Sequence, residues 1–495
     1  MALPPNQPGG EEAAEIAWPE ALQTLRAENA VLREIIAKQN EVIATLQCRI
    51  AELERRLGLD SSNSGKPPSS DGLKKKPTRV RSLRDPSGKK SGGQKGHRGE
   101  TLRQVAEPDD VVDHYPKICG ECGAALTPCM ATRRSARQVF DLPEPRPLVV
   151  TEHRAHSCDC ARCGAATQEP FPEAVAAPVQ YGPRIAAFVV YLLHSQFLPE
   201  GRLVALMRDL FGVSLAAATI AAMSRNSARR LQGVAAAVCA HVARAKVKHM
   251  DETGFRIGGK TQWLHVASTG LLTFYRTCAK RGSLLANVVG IVVHDHWKPY
   301  YTMKGVLHAL CNAHHLRELK ALIEIEKEDW ARQMQILLRR ACHAANLASE
   351  RGVALTPRLI ARLQQRYQAI VAAGIAFHEA QPALAGAAPA GRPKRRGRRK
   401  RRTGHNLLMR LDQRQADVLR FLDNPDVPFT NNQAERDGRM MKLRQKISGG
   451  FRTPAGAEDF AVIRSVLSTA RKQGWDILQT LMQNSQALIR AIRTA

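Results

Sequence analysis

No apolar run in this 495-residue sequence reaches the roughly 18–20 residues that a membrane span needs. The opening Met1-Ala-Leu-Pro-Pro also lacks the charged segment and apolar core of a secretory leader. Together these absences argue against a membrane partner and predict a reducing, cytoplasmic setting. Acidic side chains are scarce too: 45 Asp and Glu face 74 Lys and Arg, for a net charge of +29 and a pI of about 10.2. Such an excess favours a polyanionic partner, nucleic acid before membrane, because every phosphate neutralised releases counterions. The cysteines do not pair off: eleven is odd, and in a reducing compartment they read as metal ligands and buried thiols. The length allows two to four domains with a sizeable core.

What is present falls into segments. Leu22, Leu25, Asn29, Leu32, Ile36, Gln39, Ile43, Leu46, Ile50, Leu53 and Leu57 keep 3-4 spacing. Ile at a positions 36, 43 and 50 with Leu at d favours a parallel two-stranded coiled coil over residues 1–57, with Asn29 setting register. The alternative is an amphipathic helix packed within the monomer. Residues 58–104, rich in Ser, Gly and Pro, carry twelve Lys/Arg against four Asp/Glu and read as a basic disordered linker. Over 105–180 come two CxxC pairs, Cys119/Cys122 and Cys160/Cys163, the donor set of a closed structural Zn²⁺ site. Cys129, Cys158, His153 and His156 are rival ligands, and Leu148–His156 is the expected intervening strand.

Residues 181–240 are helical by pattern and contain a candidate helix-turn-helix, Leu203–Phe211, Gly212-Val213-Ser214, Leu215–Met223. An ordinary helical hairpin has the same spacing. From 245 the period turns to strands: Val247–Ile257, Trp263–Ser268 and Leu271–Arg276 read as a meander. A short helix through 285 precedes Val288–Val293, an apolar run suited to a buried parallel strand, and Gly305–Leu310 is a further strand. Residues 320–424 form a helical insertion with an exposed basic loop, 391–402, holding nine Lys/Arg in twelve residues. The segment 425–456 returns to the sheet domain begun at 241–319, and 457–495 is a closing helical segment.

Three carboxylates stand out. Asp251 lies in the first strand, and Asp295 ends the buried strand, where an unpaired carboxylate is costly unless it faces a site. Glu435 shares a helix face with Arg439, Lys442 and Lys446, whereas Asp437 falls nearly opposite. One acid in a cationic stripe suits a group holding a divalent ion against a phosphate backbone. In a ribonuclease-H-like sheet the two aspartates become neighbours, and a later glutamate completes a cage for two Mg²⁺. Glu252 points to the opposite strand face from Asp251. His308, Cys311 and His314 form a further candidate metal set. Trp297 and Tyr300 are candidates for stacking on a base or for core packing.

These residues lead to a resemblance. Asn63-Ser-Gly-Lys-Pro-Pro-Ser-Ser-Asp71, Ser91-Gly-Gly-Gln-Lys-Gly-His-Arg-Gly99, the paired CxxC knuckles, Asp251-Glu-Thr, Asp295…Tyr300, His308-x-x-Cys311-x-x-His314 and Asn431-Asn-x-Ala-Glu435-Arg…Gly449-Gly-Phe451 together resemble the IS66 family of bacterial insertion-sequence transposases. The resemblance runs in order along nearly the whole chain. It implies a multidomain α/β protein whose ribonuclease-H-like catalytic domain carries an Asp-Asp-Glu triad at Asp251, Asp295 and Glu435. It implies cleavage of transposon ends and joining of the 3′-hydroxyl to target DNA with Mg²⁺ or Mn²⁺, and Zn²⁺ in the cysteine module. The expected partners are double-stranded DNA, a second copy through the coil, and accessory transposition proteins, on the bacterial nucleoid. His294, His296, Gly438 and the 391–402 loop depart from the family's usual pattern. The competing reading is a zinc-containing coiled-coil DNA-binding regulator without catalysis.

Overall fold

The computed structural model describes residues 12–60, 63–64, 104–131, 136–140, 148–159, 161–163, 165–382 and 401–494. Most of the 58–104 linker, Cys160 and the basic loop up to Lys400 lie outside these residues. The chain divides into two compact units: residues 1–74, 179–203 and 216–495 form one, and 75–178 with 204–215 the other. Among the described residues no helix is long and apolar enough to cross a membrane.

The larger unit begins with α1, Glu12–Gly58. Its seam is exposed among the described residues: Leu25 is 58% exposed, Ile36 54% and Leu46 56%. The second unit holds the short hairpin β1, Ser157–Asp159, and β2, Ala166–Gln168. Leu148–His156, expected as a strand, is irregular, with Val149 and Val150 exposed, and among the described residues it joins no ladder.

After α2 (Pro183–His194), α3 (Glu200–Phe211) and α4 (Ala217–Arg244) comes the central sheet. Its strands are β3, Val247–Ile257; β4, Lys260–Ser268; β5, Thr273–Cys278; β6, Gly290–His294; and β7, Val306–Leu310. The spatial order is β5-β4-β3-β6-β7. The first three strands form the antiparallel meander, turning at Gly258 and Gly259, both at positive φ, and β6 and β7 run parallel to β3. The buried strand starts at Gly290 rather than Val288, because Asn287 and Gly290 both adopt positive φ. Gly290 is required there: a Cβ would lie 2.7 Å from the Lys246 carbonyl, which accepts from the Ile291 N–H. Residues 279–289 contain bends and turns in place of the expected helix.

Helices follow: α5 (Asn312–Ala321), α6 (Asp329–Glu350), α7 (Pro357–Glu379), α8 (Thr403–Gln413), α9 (Gln415–Asp423), α10 (Asn432–Ser448), α11 (Pro454–Gln473), α12 (Ile477–Met482) and α13 (Ser485–Ala491). The closing segment is thus three helices, because Gly474 takes a left-handed conformation and Asp476 and Asn484 cap new starts. Strand alternation sorts the core. Phe255, Leu264, Val266 and Tyr275 face Met441 of α10 and Phe460 of α11. On the other face Met250, Ala267 and Val292 pack with Val238 and Val242 of α4. Ile291, Val293, Ala309 and Leu310 meet the helices α5 to α9 in the largest cluster. This sandwiching brings α10 back over β3 after an excursion of more than a hundred residues.

Candidate functional site

Asp251 sits on β3, paired with Val266 across the ladder, so its side chain leaves the sheet on the α10 face. Asp295 follows the last residue of β6, and its Oδ1 accepts from the Trp297 N–H at 2.9 Å. Glu435 lies in the first turn of α10. Desolvation drives the Asp251 carboxyl well above its ordinary range, and Glu252, Asp295 and Glu435 add repulsion in the same direction. Asp295 is raised as well, chiefly by desolvation, with the Trp297 N–H and Arg281 opposing. Asp251 thus senses both other acids, but among the described residues the donor atoms of Asp251, Asp295 and Glu435 do not close into a cluster within 4.8 Å.

Glu435 is held loosely. Its Oε1 is buried with no hydrogen-bond partner, its Oε2 lies 3.7 Å from Arg439, and His314 Nδ1 is 4.0 Å from Oε1. Asp251 and Asp295 each accept one backbone N–H, from Glu252 and Trp297, and with the unpartnered Glu435 oxygen they offer the carboxylate donors that suit a hard divalent cation.

The position of α10 is set by Asn431, a buried residue whose role the sequence reading did not assign. Its Nδ2 donates to the Met250 carbonyl at 2.7 Å, and its Oδ1 pairs with His249 Nδ1 at 2.9 Å. Its N–H points to Cys311 Sγ at 3.1 Å, and its carbonyl accepts the Glu435 N–H at 3.2 Å. One asparagine thus links β3, the start of α5 and the glutamate. The available signal was an Asn at a helix start just upstream of the acid.

The neighbouring acids have other duties. Glu252 is on the opposite face from Asp251, where its carboxylate accepts from Arg281 at 2.8 Å and Tyr300 at 2.7 Å. Arg281 in turn lies over the Trp297 ring at 4.3 Å. Tyr300 is fully buried in the core, whereas Trp297 is half-buried. Asp437 pairs with Lys472 at 2.8 Å and accepts from Thr273, on the far side of α10 from Glu435. Of the cationic stripe, Arg439 and Lys446 are exposed, and Lys442 donates to the Gly254 carbonyl at 2.7 Å.

The set His308, Cys311 and His314 is not assembled. His308 projects from β7 toward His294, with Nδ1 3.0 Å from His294 Nε2, while Cys311 and His314 occupy the start of α5. His296 bonds Tyr301 at 2.8 Å. Cys311, His314 and Glu435 instead form a cluster whose donor atoms all lie within 4.8 Å of one another. Burial pushes the Cys311 thiol up to about 11 and His314 down to about 4.

In the second unit Cys119 and Cys122 flank a tight turn: the Gly123 N–H bonds the Cys119 carbonyl at 3.0 Å, with Gly123 at φ +73°. Backbone N–H groups of Cys122 and Glu121 directed at the Cys119 sulfur lower its pKa, which favours thiolate. Cys163 lies in the turn between β1 and β2, and Cys158 on β1 opposite Thr167.

A 77-residue stretch, 15% of the chain, is 34% identical to a protein described as "Uncharacterized protein y4jO" from Sinorhizobium fredii (strain NBRC 101917 / NGR234). The matched part spans about a quarter of that relative's length, 24%. Residues 17–103 match a family of unknown function. Residues 178–459, more than half the chain and including the whole sheet, α5 to α10 and all three carboxylates, match the Transposase IS66 family. The chain belongs to the IS66 transposase family.

Proposed function

We propose that this transposase cleaves transposon ends and joins the freed 3′-hydroxyl to target DNA, with Asp251, Asp295 and Glu435 as its catalytic carboxylates. The observation that carries the reading is the placement of the three acids on β3 facing α10, at the end of β6 and in the first turn of α10, all within the stretch that matches the family. An antiparallel meander followed by two parallel strands supports a ribonuclease-H-like assignment. The three acids would hold Mg²⁺ or Mn²⁺, which when bound supplies activation of the attacking oxygen and stabilisation of the leaving oxygen. Asn431 and His249 orient Glu435. Arg439 and Lys446 offer exposed charge to the phosphate backbone, and Lys442 can exchange its carbonyl partner for a phosphate oxygen.

On the same reading the coil over 1–57 dimerises through its exposed seam, the 58–104 segment tethers, and Cys119, Cys122, Cys160 and Cys163 hold Zn²⁺ in an end-binding module at 105–180. Residues 181–240 contact DNA beside the interrupted catalytic domain of 241–319 and 425–456. Asp251→Asn, Asp295→Asn and Glu435→Gln should each abolish metal-dependent strand transfer on end-containing DNA while end binding persists. Full activity in any one variant removes that residue from the site. Binding without cleavage by the unmodified protein would favour the regulator, and cleavage without joined products a simple nuclease.

A further inference from the structure

The Cys311, His314 and Glu435 cluster differs in chemistry from the all-oxygen set beside it. Cys311 caps the N-terminus of α5 and His314 follows one turn later, so both project from the same helix face. Glu435 arrives from the first turn of α10. The three donor atoms lie within 4.8 Å of one another, against about 3.3–3.6 Å in a tetrahedral zinc site, so a small closing movement suffices. Two of these donors, His314 Nδ1 and Glu435 Oε1, are buried without a hydrogen-bond partner. An unpartnered pair of this kind in a native interior calls for an occupant. Both helices direct their N-termini here, which favours the Glu435 carboxylate.

We infer that Cys311, His314 and Glu435 form a three-ligand site for a borderline-soft divalent ion of the Zn²⁺ class, and that filling it draws Glu435 away from Asp251 and Asp295. Sulfur, imidazole and one carboxylate select Zn²⁺ or Co²⁺ over Mg²⁺. Zn²⁺ at this site therefore competes with the hard ion for one carboxylate and acts as an inhibitor. This consequence rests on Glu435 being the third catalytic acid; the binding itself does not.

Full-length protein is dialysed to equilibrium against Co²⁺, and bound metal is counted per chain with the thiolate-to-cobalt absorbance. His314→Ala and Cys311→Ser should each hold one equivalent fewer than the unmodified protein, and Glu435→Gln should bind that equivalent roughly 10- to 100-fold more weakly. Cys311 is buried, so His314→Ala, at a half-buried position, carries the test if Cys311→Ser fails to fold. Equal metal content in the unmodified protein and His314→Ala overturns the site. In Mg²⁺-supported strand transfer, His314→Ala should need roughly 10-fold more Zn²⁺ for half-inhibition relative to its own uninhibited rate. Unequal metal content with identical Zn²⁺ sensitivity overturns the overlap with the catalytic acid. Should strand transfer be absent altogether, the metal count still decides the site, and the failure belongs to the transposase chemistry.

Discussion

Replacing Asn431 by alanine probes whether one buried side chain aligns the site. The change removes the 2.7 Å donation to the Met250 carbonyl and the 2.9 Å bond to His249, both in a nearly water-free setting. Each buried partner left unsatisfied costs about 1–3 kcal/mol, so the variant should lose about 2–6 kcal/mol. Against a typical total of about 5–15 kcal/mol the domain should still fold. Activity should suffer beyond stability. The Asn431 carbonyl receives the Glu435 N–H, and a displacement of about 1 Å at a reacting group can cost roughly 100-fold in rate. Denaturant unfolding gives the first quantity, and strand transfer well below the melting temperature gives the second. The exposed neighbour, Asn432→Ala, should stay within about 0.5 kcal/mol in the same assay. An Asn431→Ala protein with near-normal stability and rate would refute the alignment argument.

Other positions offer independent checks. Buried His194, bonded to Ser224 at 2.8 Å, has its pKa driven from 6.5 to about 3 by desolvation, with Arg444 and Arg464 adding to the effect. Because the unfolded chain takes up this proton first, His194 costs stability as pH falls from 6.5 toward 3. The stability of the unmodified protein relative to His194→Gln should therefore drop by about 2 kcal/mol between pH 7 and pH 5, measured by urea titration. A pH-independent difference would contradict it. Two glycine-to-alanine exchanges should differ in sign. At Gly438 in α10 a Cβ would meet Val266 Cγ2 at an ordinary 3.6 Å, so removing the glycine penalty should add up to about 1 kcal/mol. At Gly404 in α8 a Cβ would overlap the Glu328 carboxylate and come within 2.7 Å of His378 Nε2, so thermal unfolding should show a loss of about 1–3 kcal/mol.

The strands were legible because their chemistry is local. Val247–Ile257 alternates and the paired glycines at 258 and 259 demand a turn, so the meander follows from period and backbone freedom alone. Asp295 at the end of an apolar run and Glu435 opposite Asp437 on a helix were likewise visible as patterns. The errors came where local signals compete with packing. Val288 and Val289 read as strand, but Asn287 and Gly290 bend the backbone to bring Ile291 onto Lys246. Leu148–His156 had the composition of a strand, yet it is irregular, with Val149 and Val150 exposed.

By itself, then, the sequence determined the family, the strongly basic character and the meander, since each is written in residue type and spacing. Tertiary structure decided what those residues meet. His308 follows its strand to His294, and Glu435 takes the vacated place beside Cys311 and His314. Glu252 turns to Tyr300 and Arg281, and Asn431 becomes the link between sheet and helix. No spacing rule encodes these pairings, because they depend on how α5 to α9 fold the chain back so that α10 meets β3.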